Sequence, residues 1–162
     1  MESLLLSRTG AAALAATTAL AEAWTEDESH GALRAQEIAE RKSLPPPFVA
    51  KLLVQLSARG LVTGARGRGG GYRLARPPAK ISLFDVVGPM ERWSEAAMCP
   101  FQRRLCASGG RCPLHDEIRA LHVSATRILE KTTLDAFRAD HRARQRTPKD
   151  ERRAKTGRRS AP

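Results

Sequence analysis

Aromatic side chains, long apolar runs and enzyme motifs are scarce or absent in this sequence. Aromatic residues make up 4% of the 162-residue chain, so a core must be built mostly from aliphatic side chains and alanine. No apolar run reaches the roughly 18 to 20 residues of a membrane-spanning helix. We find no catalytic triad or paired carboxylates, and the glycine-rich segment lacks the Gly-Lys-Ser/Thr ending of a P-loop. The sequence therefore predicts a protein without catalytic activity.

We do not expect a secretion signal, although the stretch from Ala11 to Ala23 is apolar. Glu2 stands where a signal peptide has basic residues, and Arg8 interrupts the apolar stretch. Alanine is moreover a weak driver of membrane insertion. We therefore expect a cytoplasmic protein with no membrane partner.

Acidic residues are too few to balance the basic ones. The chain has 28 Lys+Arg against 17 Asp+Glu, a net charge of +11, which favours polyanionic partners such as nucleic acid. Ten basic and three acidic residues lie from Arg138 onward, so +7 belongs to the tail and +4 to the rest. Because residues 140–162 are charged and lack apolar periodicity, we predict a disordered basic tail.

Three predicted helices occupy the first sixty residues. The first spans Leu4 to Trp24 and the second Ala32 to Lys42. A turn follows, and the prolines Pro45 to Pro47 suit the entry of a third helix that ends at Gly60. Two short helices separated by a tight turn have the outline of a helix-turn-helix.

The next segment changes from helical to strand periodicity. Short strands at 61–63 and 72–74 flank a glycine-rich basic stretch, which predicts a hairpin. A helix-turn-helix followed by a basic hairpin is a winged helix, so the fold class is mainly α with a small β-hairpin wing. Ser82 and Asp85 approximate a capping box for a helix from Leu83 to Arg92. We assign residues 1–92 to this DNA-binding domain.

The third helix and the hairpin carry the candidate DNA-reading residues. Residues near the start of the second helix of a helix-turn-helix reach base edges, which selects Pro47, Phe48 and Lys51. Lys51 can donate to guanine acceptors or to a phosphate, whereas Phe48 either contacts a thymine methyl group or anchors the helix in the core. Arg66 and Arg68 lie between glycines that let the backbone approach a narrow minor groove, the alternative being a solvated glycine-rich turn.

A long helix is predicted from Pro113 to about Lys131. A heptad stripe runs along it, which suits either a dimer helix or packing against its own domain. The stripe consists of Leu114, Ile118, Leu121, Ala125 and Ile128. A short amphipathic piece with Leu134 and Phe137 is expected to pack on this helix. We assign residues 113–139 to dimerisation.

Three cysteines, Cys99, Cys106 and Cys112, crowd into the predicted loop 93–112. An odd number at this density suggests metal or redox chemistry rather than disulfides. Thiolates suit an iron–sulfur cluster, and three of them leave one coordination position open. The spacing alone does not distinguish a cluster from a zinc site or a redox thiol pair.

Several motifs occur together in the sequence. They are Ile38-Ala-Glu40, Leu52-Leu53 with Leu56, Gly60-Leu61-Val62, Arg66-Gly67-x-Gly69-Gly70-Gly71-Tyr72-x-Leu74 and Ile81-Ser82-Leu83-x-Asp85-Val86-Val87. Over about Leu6 to Phe137 they resemble the Rrf2 family of winged-helix transcriptional regulators, of the IscR and NsrR type. The resemblance implies a homodimer crossed by the long helix, with two recognition helices and two wings on a near-palindromic DNA site. By position Arg66 matches the minor-groove arginine, and Tyr72 joins the DNA-binding candidates, but Pro47 and Lys51 depart from the usual residues.

The cluster-binding members of that family also have three cysteines between wing domain and dimer helix. The resemblance thus implies an iron–sulfur cluster, 2Fe-2S favoured and 4Fe-4S possible, with zinc as the alternative. His115 is the expected fourth ligand, unless it is an ordinary surface histidine, and Asp116, Glu117 or Glu22 are substitutes. The function expected is a repressor that senses redox state, nitric oxide or iron–sulfur status. Its rival is a zinc-stabilised or thiol-switched nucleic-acid-binding module without a cluster.

Overall fold

The computed structural model describes residues 6–26, 31–65, 67, 70–91 and 113–138. A two-stranded antiparallel hairpin stands among helices, which confirms the predicted fold class. Single 3-10 turns flank the fourth helix, and residues 135–138 form a last helical turn. The elements are α1 (Arg8–Glu22), α2 (Ala35–Lys42), α3 (Pro46–Ala58), β1 (Val62–Ala65), β2 (Gly71–Leu74), a 3-10 turn (Pro78–Lys80), α4 (Leu83–Val87), a 3-10 turn (Gly88–Met90) and α5 (His115–Lys131).

Helix α1 is shorter than the predicted span from Leu4 to Trp24. It begins at Arg8 because Ser7 is the N-cap, whose Oγ accepts the Gly10 N–H at 3.1 Å. Five of its alanines lie in the core, so neighbouring helices can approach its backbone closely: Ala12, Ala13, Ala16, Ala19 and Ala21. The buried hydroxyl of Thr17 donates to the carbonyl of Ala13 at 2.9 Å and is thereby satisfied.

The start predicted for the second helix at Ala32 is wrong. Leu33 is extended and pairs with Tyr72: its N–H donates to the Tyr72 carbonyl at 2.9 Å, and its carbonyl accepts the Tyr72 N–H at 2.7 Å. Helix α2 begins only at Ala35, where Glu37 accepts the Arg34 N–H at 2.6 Å. Backbone groups used in strand pairing are unavailable to a helix.

The turn and α3 follow the prediction closely. Ser43 adopts a left-handed conformation with φ 52°, which ends α2. Pro45 is the N-cap of α3, and two further prolines occupy the first turn, where their missing N–H groups cost nothing. The buried face of α3 consists of Val49, Leu52, Leu53 and Leu56.

The predicted capping box of α4 is confirmed in both directions. The Asp85 N–H donates to Ser82 Oγ at 3.0 Å, and the Ser82 N–H donates to Asp85 Oδ2 at 2.9 Å. The helix ends at Val87, short of the predicted Arg92, because Pro89 has no N–H to continue the ladder. Arg92 itself lies outside the described residues.

The C-terminal end of α5 is tied to the winged-helix body. The Leu83 N–H donates to the Thr132 carbonyl at 2.9 Å, and the Leu134 N–H donates to the Ile81 carbonyl at 3.0 Å. The Leu134 side chain is fully buried in the same core as α1 to α4. The sequence predicted that Leu134 packs on α5. In the structure it belongs to the core of the winged helix.

Candidate nucleic-acid interface

One side of α3 faces solvent and carries two of the predicted DNA-reading residues. Pro47 and Lys51 are four residues apart, so they share a helix face, and both are exposed. Lys51 lies in the second turn of α3, which leaves its ammonium group available to a ligand with acceptor atoms. The opposite face of α3 is buried, which fixes the outward direction of this pair.

Phe48 was expected either to contact a thymine methyl group or to anchor α3 in the core. Its side chain is half-buried and packs against the core. The ring therefore helps to hold the start of α3 in place. This contact with the core favours the anchoring role.

Val54 is a surface residue that the sequence reasoning missed. It is 62% exposed and lies one turn beyond Lys51, on the outer side of α3. A methyl-bearing side chain at such a position can contact a thymine methyl group. The helical spacing of positions 47, 51 and 54 could have identified Val54 as exposed. An apolar residue that shares a helix face with exposed residues cannot belong to the core face.

The wing is a two-stranded hairpin that is bridged to the segment before α2. Strands β1 and β2 pair in the register Val62↔Leu74 and Ala65↔Gly71, and Leu33 adds a single-residue bridge on the far side of β2. A two-stranded ribbon alone is marginally stable, so this bridge braces the wing against the helices. Gly71 permits it, since a Cβ there would lie 2.7 Å from the Leu33 carbonyl oxygen.

The predicted arginines fall in the sequence between β1 and β2. Arg66 and Arg68 lie outside the residues that the structure describes. Gly67 between them has φ 100°, a left-handed conformation that favours glycine, and its carbonyl accepts the Gly70 N–H at 2.9 Å. Tyr72 is half-buried and packs against the core, so much of its ring stabilises the wing.

The heptad stripe of α5 divides into two edges. Ile118 and Ala125 are partly buried, as is Leu129, which packs against the core. The other edge stays open: Leu121 is 40% exposed and Ile128 is 62% exposed. Leu114, also 40% exposed, continues this edge at the start of the helix. Packing against its own domain therefore accounts for only one side of the stripe.

The predicted metal ligands are mostly outside the described part of the chain. This is so for Cys99, Cys106 and Cys112, whereas His115 is the exposed first residue of α5. Glu22 is occupied, because its carboxylate forms an ion pair with Lys42 at 2.8 Å. Within the described ranges no group of three His, Cys, Asp or Glu side chains is arranged to hold a metal ion.

The chemistry of the donor set nevertheless fits an iron–sulfur cluster. Three thiolates within fourteen residues are the soft ligands that such a cluster takes, and an imidazole follows three residues after the last cysteine.

None of the helices among the described residues combines the length and hydropathy that crossing a bilayer requires.

Comparison with known proteins gives consistent findings. A family model named Rrf2 and described as an iron-dependent transcriptional regulator matches residues 6–140. A helix-turn-helix-type transcriptional regulator of Mycobacterium tuberculosis is 36% identical over 106 residues, which are 63% of this chain and 63% of that relative. The chain thus spans under two thirds of that relative's length.

Two solved structures resemble the fold. The IscR of T. potens has a TM-score of 0.61 and 27% identity, covering 83% of this chain and 86% of that one. CymR of B. subtilis, described as the global cysteine regulator, has a TM-score of 0.65 and 23% identity, covering 83% of this chain and 95% of that one. At that identity CymR supports the fold alone.

Proposed function

This chain belongs to the Rrf2 family of transcriptional regulators, and on that premise we propose that it is a homodimeric, cytoplasmic DNA-binding repressor that senses redox state, nitric oxide or iron–sulfur status. The observation that carries the proposal is the exposed face of α3 beside a braced wing. A rigid helix and a hairpin on one body are the two parts that a winged helix needs to read a duplex.

DNA recognition divides between these two parts. Helix α3 enters the major groove, where Lys51 donates from Nζ to guanine O6 or N7, or to a phosphate, and Val54 supplies an apolar contact. The wing lies over the backbone, with Arg66 and Arg68 directed to the minor groove. Core packing of Phe48 and Tyr72 holds both parts in place, so binding does not have to order them first.

Substitution of Lys51 by alanine tests the recognition helix. We expect the affinity for the cognate operator to fall by about 1–2 kcal/mol, roughly tenfold, because one charged donor is lost while the fold is unchanged. Binding titrations on operators with single base-pair changes locate the contact. A base contact relaxes specificity at one position, and a phosphate contact lowers the salt dependence by about one ion. Lys131→Ala, an exposed lysine at the end of α5, is the control; an equal loss in both variants would contradict the assignment.

We assign the open apolar edge of α5 to the dimer interface. Exposed leucine and isoleucine side chains in heptad phase lose water contact when a second copy crosses them. A two-fold dimer would then present two copies of α3, and a footprint should protect two half-sites about 34 Å, or a multiple of that, apart.

The sensor site is assigned to Cys99, Cys106, Cys112 and His115. A bound 2Fe-2S or 4Fe-4S cluster would supply iron that oxidants, nitric oxide or iron shortage alter or remove. The three thiolates would hold it, and His115, in the first turn of α5, would complete the set. Because α5 carries the proposed dimer edge, a rearrangement at its start would change how the two recognition helices are spaced.

Removing one thiolate tests this assignment. We expect anaerobically purified Cys106→Ala protein to lose its visible absorbance and most of its iron. We also expect its operator affinity to change by about 5- to 150-fold, the usual range of allosteric coupling. Ser108→Ala, two residues away, should retain iron and wild-type affinity. Iron-free wild-type protein together with unchanged DNA binding by Cys106→Ala would remove the sensing half of the proposal.

The rival function, a zinc-stabilised or thiol-switched module that binds nucleic acid through its tail, gives a different result on truncation. Deleting residues 140–162 should leave the regulator with sequence-specific binding and a weaker salt dependence. Loss of all binding on truncation, with zinc in place of iron in the purified protein, would favour the rival.

A further inference from the structure

Glu91 connects the end of the winged helix to the beginning of α1. Its carboxylate Oε1 accepts the backbone N–H of Ser7 at 2.8 Å, across 84 residues of sequence. Helix α1 has no acidic residue in its own first turn. A carboxylate near the N-terminus of a helix is favourable, because unpaired N–H groups and the helix dipole are positive there. Glu91 thus supplies from a distance what the local sequence of α1 lacks.

Gly10 provides the space for this contact. It is buried, and a Cβ at this position would overlap Glu91 Oε1. The overlapping atom is the end of a flexible side chain, so a larger residue would displace the carboxylate and leave the backbone in place. Glu91 and Gly10 therefore act as a pair, and substitution at either position breaks the same contact.

The segment that carries Glu91 also reaches the recognition helix. The Glu91 N–H donates to the Val87 carbonyl at 3.1 Å, which holds it to the end of α4. Two residues earlier, the Pro89 carbonyl lies 3.5 Å from Nη2 of Arg59, the C-cap residue of α3. Residue 92, which follows Glu91, begins the stretch that leads to the cysteines. One short segment thus contacts α1 and α3 immediately before the proposed sensor loop.

We propose that Glu91 is a positioning residue that couples the cysteine-containing segment to DNA binding through its contact with Ser7 and Gly10. This inference rests on the proposed sensing function. Helix α1 packs against α2 and α3 through its buried alanines. A shift of Glu91 changes where α1 starts, and close alanine packing passes that shift to the helix-turn-helix.

The test measures operator affinity with and without the cluster. For each variant the two affinities are expressed as one ratio. We expect a wild-type ratio in the range of about 5- to 150-fold, and a ratio within about twofold of one in both Glu91→Ala and Gly10→Ala. Their double variant should show no further change, because both substitutions break one contact. Glu91→Gln keeps an acceptor oxygen and should retain most of the ratio. Glu130→Ala, an exposed glutamate of α5, is the matched control.

A second readout needs no cluster. Hydrogen exchange at the Ser7 amide should accelerate in cluster-free Glu91→Ala and Gly10→Ala, and remain slow in Glu91→Gln. A purely structural role would lower affinity equally in both states and leave the ratio unchanged, which would overturn the inference while the sensing function stands. Loss of iron in Glu91→Ala would also overturn it. A wild-type ratio of one would remove the sensing function itself.

Discussion

Replacing Ile128 by glutamate is expected to make the protein monomeric and to lower its affinity for a two-half-site operator by at least about 100-fold. Ile128 is 62% exposed and lies on the open edge of α5, so the substitution does not disturb the buried core. In the proposed dimer the same position is covered by a second copy, where an unpaired carboxylate is costly. A monomer has one recognition helix and loses the gain from two linked half-sites.

Sedimentation or light scattering measures the oligomeric state, and titration with whole and half operators measures the binding loss. Val123→Glu is the matched control, because Val123 is 44% exposed but lies on the opposite side of α5 at 100° per residue. We expect this control to stay dimeric. If Ile128→Glu remained dimeric at micromolar concentration, or if Val123→Glu dissociated equally, the open edge would not be the interface.

Substitution of Gly71 by alanine is the second change with a large expected effect. The new Cβ would lie 2.7 Å from the carbonyl oxygen and 2.8 Å from the carbonyl carbon of Leu33. Both are backbone atoms of the residue that bridges the wing to the helices, so neither can move without breaking the pairing with Tyr72. Gly71 has no positive φ, and the cost is therefore steric. Overpacking of this kind costs about 1–3 kcal/mol, or about 5–15 °C in melting temperature.

Thermal unfolding and operator titration measure the two consequences of Gly71→Ala. Operator affinity should fall more than tenfold, since the wing is no longer fixed once the Leu33 bridge is displaced. Gly64→Ala on the neighbouring strand is the control, because its Cβ would meet Tyr72 Cε1 at 3.4 Å, near ordinary van der Waals contact. Equal melting temperatures for the two variants would contradict the steric explanation.

The sequence predicted those parts of the fold whose cause is local. The prolines at the entry of α3 and the capping pair Ser82 and Asp85 act within a few residues, so the pattern and the structure agree. The exposed position of Lys51 also follows from helical spacing. The sequence therefore predicted the part of the candidate interface that α3 provides. It did not identify Val54, an exposed apolar residue on the same face of α3.

The sequence could not predict contacts between distant segments. The residues around Leu33 have a helix-compatible composition, and only the approach of Tyr72, from about forty residues later, makes Leu33 a bridge residue. The burial of Leu134 beside Ile81 and the contact of Glu91 with Ser7 arise in the same way. No local pattern encodes a partner that lies tens of residues away.

The sequence by itself determined the family and the winged-helix class, because short motifs carry that information, and its residue chemistry made three cysteines with His115 the predicted donor set. Tertiary structure alone decided that Leu33 bridges to the wing, that Gly10 and Glu91 meet, and that one edge of the α5 stripe packs against its own domain while the other stays open. These features depend on which backbone and side-chain surfaces come together when non-local segments bury their apolar area, and the chain order does not specify that pairing.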